Sequence, residues 1–191
     1  MDKGHLYFIM GVSGSGKGTL RKNLESGEYD ELHYLKSYVS RPMRDGEVEG
    51  DIYHFISKEQ FLADVEAGEF LEYAFVHNSA YYGTKKTDVL EGIEQGKKMI
   101  KEVDVQGLVT ILSDYPELKE QITSIFLEVP ESTVRERILL RDASISNHEL
   151  EKRVDSISDE NHHAEKICDH IIDGTQSPEK VLHDVLDILK K

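Results

Sequence analysis

A single cysteine, Cys168, stands in the 191 residues, which excludes an intrachain disulfide and fits a reducing compartment. It lies in the apolar stretch KICDHII, where a buried structural thiol is expected rather than a nucleophile. Proline is scarce as well, at four residues, and no Pro- or Ser-rich linker, internal repeat or low-complexity tract interrupts the chain. Basic charge is in short supply: 23 Lys and Arg stand against 37 Asp and Glu, for a formal net charge of −14. That balance excludes general binding to nucleic acid or an anionic membrane, which needs broad basic faces. Long hydrophobic runs are missing too. The N-terminal HLYFIM is too short for a signal peptide or a membrane span, so a cytoplasmic protein is expected.

What is present is an ordinary globular composition, 38% hydrophobic and 31% charged. The length suits one domain carrying a small inserted subdomain. HLYFIM reads as a buried strand, and GKGTLRKNLESG as a helix closed by Gly27. DIYHFIS reads as a strand, followed by the helix SKEQFLADVEAG, with Ser57 and Gln60 as a capping box and Gly68 as its stop. KMIKEVDV and SIFLEV are further strands, each followed by a helical pattern. SPEKVLHDVLDILKK forms the last helix, capped by Ser177, with Pro178 in its first turn and Val181, Leu182, Val185, Leu186 and Leu189 on one face. Strands alternating with helices predict a parallel sheet covered on both faces, an α/β fold. The segment 33–85 departs from that rhythm with several short strand candidates, two Tyr-rich patches and a cluster of charges. It reads as an inserted substrate-binding subdomain.

Two constellations carry chemistry. The first is G-x-x-x-x-G-K, with Gly11, Gly16 and Lys17 set between a strand and a helix. Glycines at these positions let backbone N–H groups point at phosphate oxygens, the helix N-terminus adds its positive end, and the lysine reaches the outer phosphates. After the lysine comes Gly18, where a Ser or Thr hydroxyl usually meets magnesium. Magnesium must then rest on Thr19, on carboxylates through water, or mainly on the nucleotide, which suits a nucleoside monophosphate kinase better than a GTPase-type switch. The second constellation is SYVSRPMRDGEVEGDIYHF. Arg41 and Arg44 place two guanidinium forks close together in an otherwise acidic chain, a site for a doubly charged phosphate; the bland alternative is an exposed loop with surface ion pairs.

With GVSGSGKGTL, RPMRDGEVEGDIYHF, GEFLEYAFVHNSAYYGT and EVDVQG in order, the chain resembles the guanylate kinases over nearly its whole length. The resemblance implies a P-loop NTPase-type parallel sheet covered by helices, with a small mixed-β GMP-binding subdomain over about 33–85, a helical lid over about 134–159, and a core made of 1–32, 86–133 and 160–191. It implies transfer of the terminal phosphoryl group of ATP to GMP, and to dGMP, with Mg2+ and without a covalent enzyme intermediate. Gly11, Ser13, Gly14, Ser15, Gly16, Lys17, Gly18 and Thr19 are implied to hold ATP, with Asp173 facing its base. Arg41, Arg44, Tyr53 and Tyr82 are implied to grip the GMP phosphate, with Glu47 orienting an arginine. Ser37, Glu72 and Thr84 are implied to read the guanine: the carboxylate accepts from N1–H and the exocyclic amine, and the two hydroxyls donate to O6. Arg141 and Arg153, with Arg137 as a third candidate, match lid arginines that stabilise the transferring phosphoryl group. Asp104, assigned to the GMP side, and Thr19 are the candidates for magnesium or its waters; Glu102 is the weaker candidate, and Arg135 is read as helix-surface charge.

The chain also departs from the family pattern. Besides Gly18, HNSAYYG is one residue longer than the usual turn. LRDASIS replaces the lid's usual G-R-G-T, the spacing from Arg141 to Arg153 is one residue longer than the family's, and Asp173 stands for an asparagine. Two other classes stay open at this point: an interaction module that has lost catalysis, and a related kinase with another phosphate acceptor. The intact Gly11, Gly16 and Lys17 speak against the first, and the trio Ser37, Glu72 and Thr84 against the second.

Overall fold

The computed structural model describes residues 3–27, 29–76, 79–155 and 157–190, without the side chains of Arg141, Lys152 and Arg153. In chain order the elements are β1 (His5–Met10), α1 (Lys17–Ser26), β2 (Leu32–Tyr34), β3 (Ser37–Val39), β4 (Tyr53–Phe55), α2 (Lys58–Glu66), β5 (Phe70–Val76) and β6 (Ala80–Lys85). There follow α3 (Lys86–Glu94), β7 (Lys98–Glu102), α4 (Val105–Asp114), β8 (Ile122–Glu128), α5 (Glu131–Arg141), α6 (Asn147–Val154), α7 (Ile157–Ile167), β9 (His170–Asp173) and α8 (Pro178–Leu189). The strands form two sheets, ordered β2-β7-β1-β8-β9 and β4-β3-β6-β5. In the first, β2 pairs in parallel with β7 and β8 with β9, as the strand–helix alternation predicts. By internal packing the chain divides into two compact units.

The unit built from Met1–Leu6, Glu31–Lys101 and Gln106–Ile122 holds the mixed sheet. β5 and β6 form an antiparallel pair that sets Glu72 opposite Thr84 and Tyr73 opposite Gly83. β6 also pairs with β3, and β3 runs parallel to β4 with Ser37 opposite Tyr53. Only glycine fits at position 83, because a Cβ there would come within 2.8 Å of the Phe70 ring and 3.0 Å of the Glu72 carbonyl oxygen. The sheet is packed on Phe61 of α2, which is fully buried. Its ring stacks on Phe70 at 4.3 Å and on Tyr81 at 5.4 Å between centroids.

At the start of α2, Ser57 caps as the sequence predicts, its hydroxyl accepting from the Gln60 amide at 3.0 Å. The capping box closes on that side alone. The Gln60 side chain instead donates its amide to Asp64 Oδ1, one turn on, at 2.8 Å, a charge-assisted bond that draws the side chain along the helix and away from the Ser57 amide. Asp64 in turn holds Lys85 at 2.8 Å, tying α2 to the end of β6.

The unit built from Tyr7–Asp30, Glu102–Val105 and Thr123–Lys191 carries the glycine-rich loop. β1 is buried almost throughout, as an apolar strand covered on both faces should be. Its last residues feed the loop 11–16, and α1 begins at Lys17. Gly27 ends α1, its amide donating to the Asn23 carbonyl at 3.1 Å. β8 and β9 are pinned by Asp169, which accepts from the Ser124 amide at 2.8 Å and from its hydroxyl at 2.6 Å. Ser177 caps α8, which buries Val181, Val185 and Leu189 and packs against α1.

Candidate active site

Gly14 and Gly16 have φ values of +84° and +106°. Nothing crowds a Cβ at Gly16 within 4 Å, so glycine is required there by backbone conformation alone. The loop tightens through the Ser15 amide, which donates to the Val12 carbonyl at 3.1 Å, and α1 starts with Gly16 as its N-cap. Lys17 folds back across the loop, its ammonium donating to the Gly11 carbonyl at 2.5 Å and the Val12 carbonyl at 3.1 Å. Burial pushes the Lys17 pKa down, against the pull of the Glu102 and Glu160 charges. The loop forms one wall of a cleft of about 660 Å³ whose lining includes Ser13 through Leu20, Lys22, Glu102, Arg137, Gly174 and Gln176. A cleft of that size suits a nucleotide-sized ligand.

Arg137 is placed at this cleft by α5. It donates to the Gly14 carbonyl at 3.1 Å and to the Gly174 carbonyl at 2.8 Å, bridging the glycine-rich loop to the turn after β9. Glu102, at the end of β7, lines the cleft, whereas Asp104 is not among the lining residues. Asp173 is exposed and engaged locally: its Oδ1 accepts from the Thr175 amide at 2.8 Å and hydroxyl at 2.6 Å, and the Thr175 hydroxyl holds its carboxyl below the usual range. It therefore shapes the turn from β9 into α8. Thr19 is on the lining, and a Cβ at Gly18 would meet nothing within 4 Å, so steric demand does not account for the glycine. Arg135 joins α5 to α6 through Glu151 at 2.7 Å and contacts Glu131 at 3.2 Å, the surface role its pattern predicts. The side chains of Arg141 and Arg153 lie outside the described residues, and so do His77 and Asn78 of the lengthened turn. Cys168 has its thiol pushed up to about 11 by burial and by Asp169, and it stays protonated.

In the other unit, a second cluster forms around Arg41. Its guanidinium grips Glu47 with two nitrogens, at 2.6 and 2.7 Å. Its Nε donates to the Tyr82 hydroxyl at 3.1 Å, and it sits 5.4 Å from the centroids of Tyr53 and Phe55. The Tyr53 and Tyr82 rings meet edge to face at 5.6 Å. Glu47 also accepts the Arg44 amide at 2.7 Å, while the Arg44 side chain is exposed. Arg41, Glu47, Tyr53 and Tyr82, spread over 42 positions of sequence, are thus gathered into one corner by β3, β4 and β6. Hydrogen bonds from Arg41 first, and the Arg44 amide second, hold the Glu47 carboxyl at about 2, and the same pairing pushes Arg41 up.

A depressed carboxyl stabilises the fold fully above its unfolded value, here 4.5, and loses that contribution as the pH falls through its folded value. The melting-temperature gap between wild type and Glu47→Gln should therefore be level above about pH 5 and shrink toward zero by about pH 2. A gap that persists at the acid end would show that Glu47 acts through shape rather than charge.

On the same sheet, the Thr84 hydroxyl donates to Glu72 Oε1 at 2.6 Å, with Thr84 fully buried. This differs from the expectation that Thr84 donates to a purine O6. A carboxylate accepts only, so the single hydroxyl proton goes to it, and Thr84 keeps lone pairs alone for other partners. Ser37 meets a residue that the motifs did not single out: Lys101 Nζ donates to its hydroxyl at 2.5 Å. A cation inside the apolar strand KMIKEV was the available signal.

A family model described as guanylate kinase matches residues 3–191. The guanylate kinase of Wolinella succinogenes is 43% identical over 141 residues, which span 73% of this chain and 63% of that protein. That of Helicobacter pylori is 38% identical over 151 residues, 78% of this chain and 70% of its own length. The crystal structure of guanylate kinase from Anaplasma phagocytophilum superposes with a TM-score of 0.72, covering 100% of this chain and 86% of that one at 23% identity. At that identity the likeness carries the fold.

Proposed function

Because the chain belongs to the guanylate kinase family, we propose that it transfers the terminal phosphoryl group of ATP to GMP, giving ADP and GDP. The observation that carries this reading is the pairing of Thr84 with Glu72 on the same sheet as the Arg41 cluster. Guanine presents N1–H and an exocyclic amine, two donors side by side, to a carboxylate that the Thr84 hydroxyl holds in place. Adenine would turn a lone pair toward that carboxylate and leave buried polar groups unpaired, which is how a site rejects a base strongly. Arg41, anchored by Glu47 and Tyr82, and Arg44 grip the phosphate of the acceptor.

On the donor side the loop amides and Lys17 hold the triphosphate. The Lys17 ammonium exchanges the Gly11 and Val12 carbonyls for phosphate oxygens, a gain because the new partners are charged. Arg137 adds a guanidinium at the mouth of the same cleft. Positioning and charge neutralisation supply most of such catalysis.

Among the described residues, no cluster of three or more His, Cys, Asp or Glu could cage a metal. The cleft offers Thr19 and Glu102, which fits a magnesium ion that arrives on phosphates and keeps most of its waters. These two residues would hold it or its water shell, and the ion would neutralise charge on the phosphates. A cytoplasmic location goes with this reading. Among the described residues no helix is long and apolar enough to cross a membrane, and a lone unpaired cysteine, Cys168, suits a reducing compartment.

A coupled assay with ATP and each of the four common nucleoside monophosphates tests the proposal. GMP should turn over at least about tenfold better than AMP, CMP or UMP, the least that one mispaired buried group demands. Equal or better activity on any of the three would overturn it.

A further inference from the structure

Lys101 is 2% exposed, a depth at which lysine is rarely found unless its charge has a partner. Its neighbours on β7, Met99 and Ile100, are fully buried, so Lys101 is a cation set into the buried run of the strand. The ammonium reaches back 64 residues to the hydroxyl of Ser37 at 2.5 Å. An ammonium carries three donors and no acceptor. Ser37 must therefore accept in this bond, and its own proton is directed elsewhere.

The neighbouring hydroxyl is committed in the opposite sense, since Thr84 gives its proton to Glu72. Of the two hydroxyls in this corner of the sheet, Ser37 alone keeps a proton to donate, and Lys101 is the group that enforces it. The positive charge also has a counterpart in the same unit. Burial raises the Asp88 carboxyl at the start of α3, while His54, Lys85 and Lys101 hold it down.

We propose that Lys101 is a specificity-determining residue for the acceptor base. It fixes Ser37 as a donor and places positive charge against position 6 of the purine. A 6-oxo group meets a donor and a cation there; a 6-amino group meets donor against donor and is repelled. Glu72 with Thr84 then reads the N1 and 2-amino edge, and Lys101 with Ser37 reads the 6-position. This assignment rests on the acceptor reading given above.

Lys101→Met keeps side-chain length and removes the charge. GMP and IMP, which both carry O6, should bind this variant about tenfold or more weakly, the loss expected for a charge-assisted hydrogen bond. The fluorescent 2-aminopurine riboside 5′-monophosphate keeps the 2-amino group, has only hydrogen at position 6, and binds the wild type more weakly than GMP because its N1 turns a lone pair toward Glu72. Its dissociation constant, read by fluorescence titration, should stay within about threefold of wild type, since it never used that bond. Lys101→Gln, which retains an N–H donor, should recover part of the GMP affinity and guards against a folding defect in the first variant. If either folded variant loses the three nucleotides to the same extent, Lys101 is only a strut of the sheet and the assignment is overturned. If the wild-type protein itself neither binds nor phosphorylates GMP, the acceptor reading fails instead.

Discussion

Lys17→Met should lower turnover of GMP by about a thousandfold, the upper range for removing one charged stabiliser of a transition state. GMP binding, measured by calorimetry, should stay within about threefold, because in the proposed reaction the lysine acts on the phosphates of the donor. Lys17 is the cation at the centre of the loop: it already spans the Gly11 and Val12 carbonyls. Its surroundings favour an exchange of partners. Burial disfavours its charge, against the pull of Glu102 and Glu160, so an incoming polyphosphate meets a poorly hydrated ammonium whose hydrogen bonds go to neutral carbonyl oxygens. Such a group gains more from a phosphate than a water-exposed lysine would. Methionine copies the stem and leaves the two carbonyls without their donor, so a modest fall in melting temperature should accompany the catalytic loss. A fall in turnover of less than tenfold would mean that the loop amides and Arg137 suffice, and the role given to Lys17 would have to be withdrawn.

Arg41→Lys should raise the KM for GMP by about a hundredfold, the worth of one or two charge-assisted hydrogen bonds, and leave the KM for ATP unchanged. The substitution keeps the charge, yet it is not conservative here. The planar fork holds Glu47 with two nitrogens while Nε donates to Tyr82, and the cation rests on the Tyr53 and Phe55 rings. A lysine is a point charge on a flexible stem and cannot satisfy both partners in that geometry. Glu47 would lose the bidentate bond that depresses its carboxyl, and Tyr82 would lose the donor that orients its hydroxyl. The competing view is that Arg41 only braces the segment between β3 and β4, since its nitrogens already have partners. The two views separate cleanly in kinetics: a brace predicts a lower melting temperature with the GMP KM unmoved, and that result would remove Arg41 from the site.

Local signals were readable directly from the chain because their cause lies within a few residues. The glycines of GVSGSGKG set a loop, since positive φ at Gly14 and Gly16 is a property of those residues alone. Ser57 and Ser177 cap α2 and α8 because a hydroxyl three residues ahead of an amide reaches it in any helix start. Apolar runs such as HLYFIM had to become covered strands. The Arg41–Glu47 link belongs with these, being six residues apart and stiffened by Pro42.

Pairings between distant segments were another matter. That Thr84 gives its proton to Glu72 depends on the register of β5 against β6. That Arg137 joins Gly14 to Gly174 depends on where α5 lands, 123 and 37 residues from its partners. That Glu102 rather than Asp104 lines the cleft beside the glycine-rich loop turns on where β7 ends. Lys101 shows the limit most plainly, for nothing near it in KMIKEV names Ser37. Sequence alone determined which chemical groups this protein owns and how each short segment bends. Which group receives which proton was decided only in three dimensions, because a hydrogen bond is directional and short, and chain order carries no information about the direction from which a distant residue arrives.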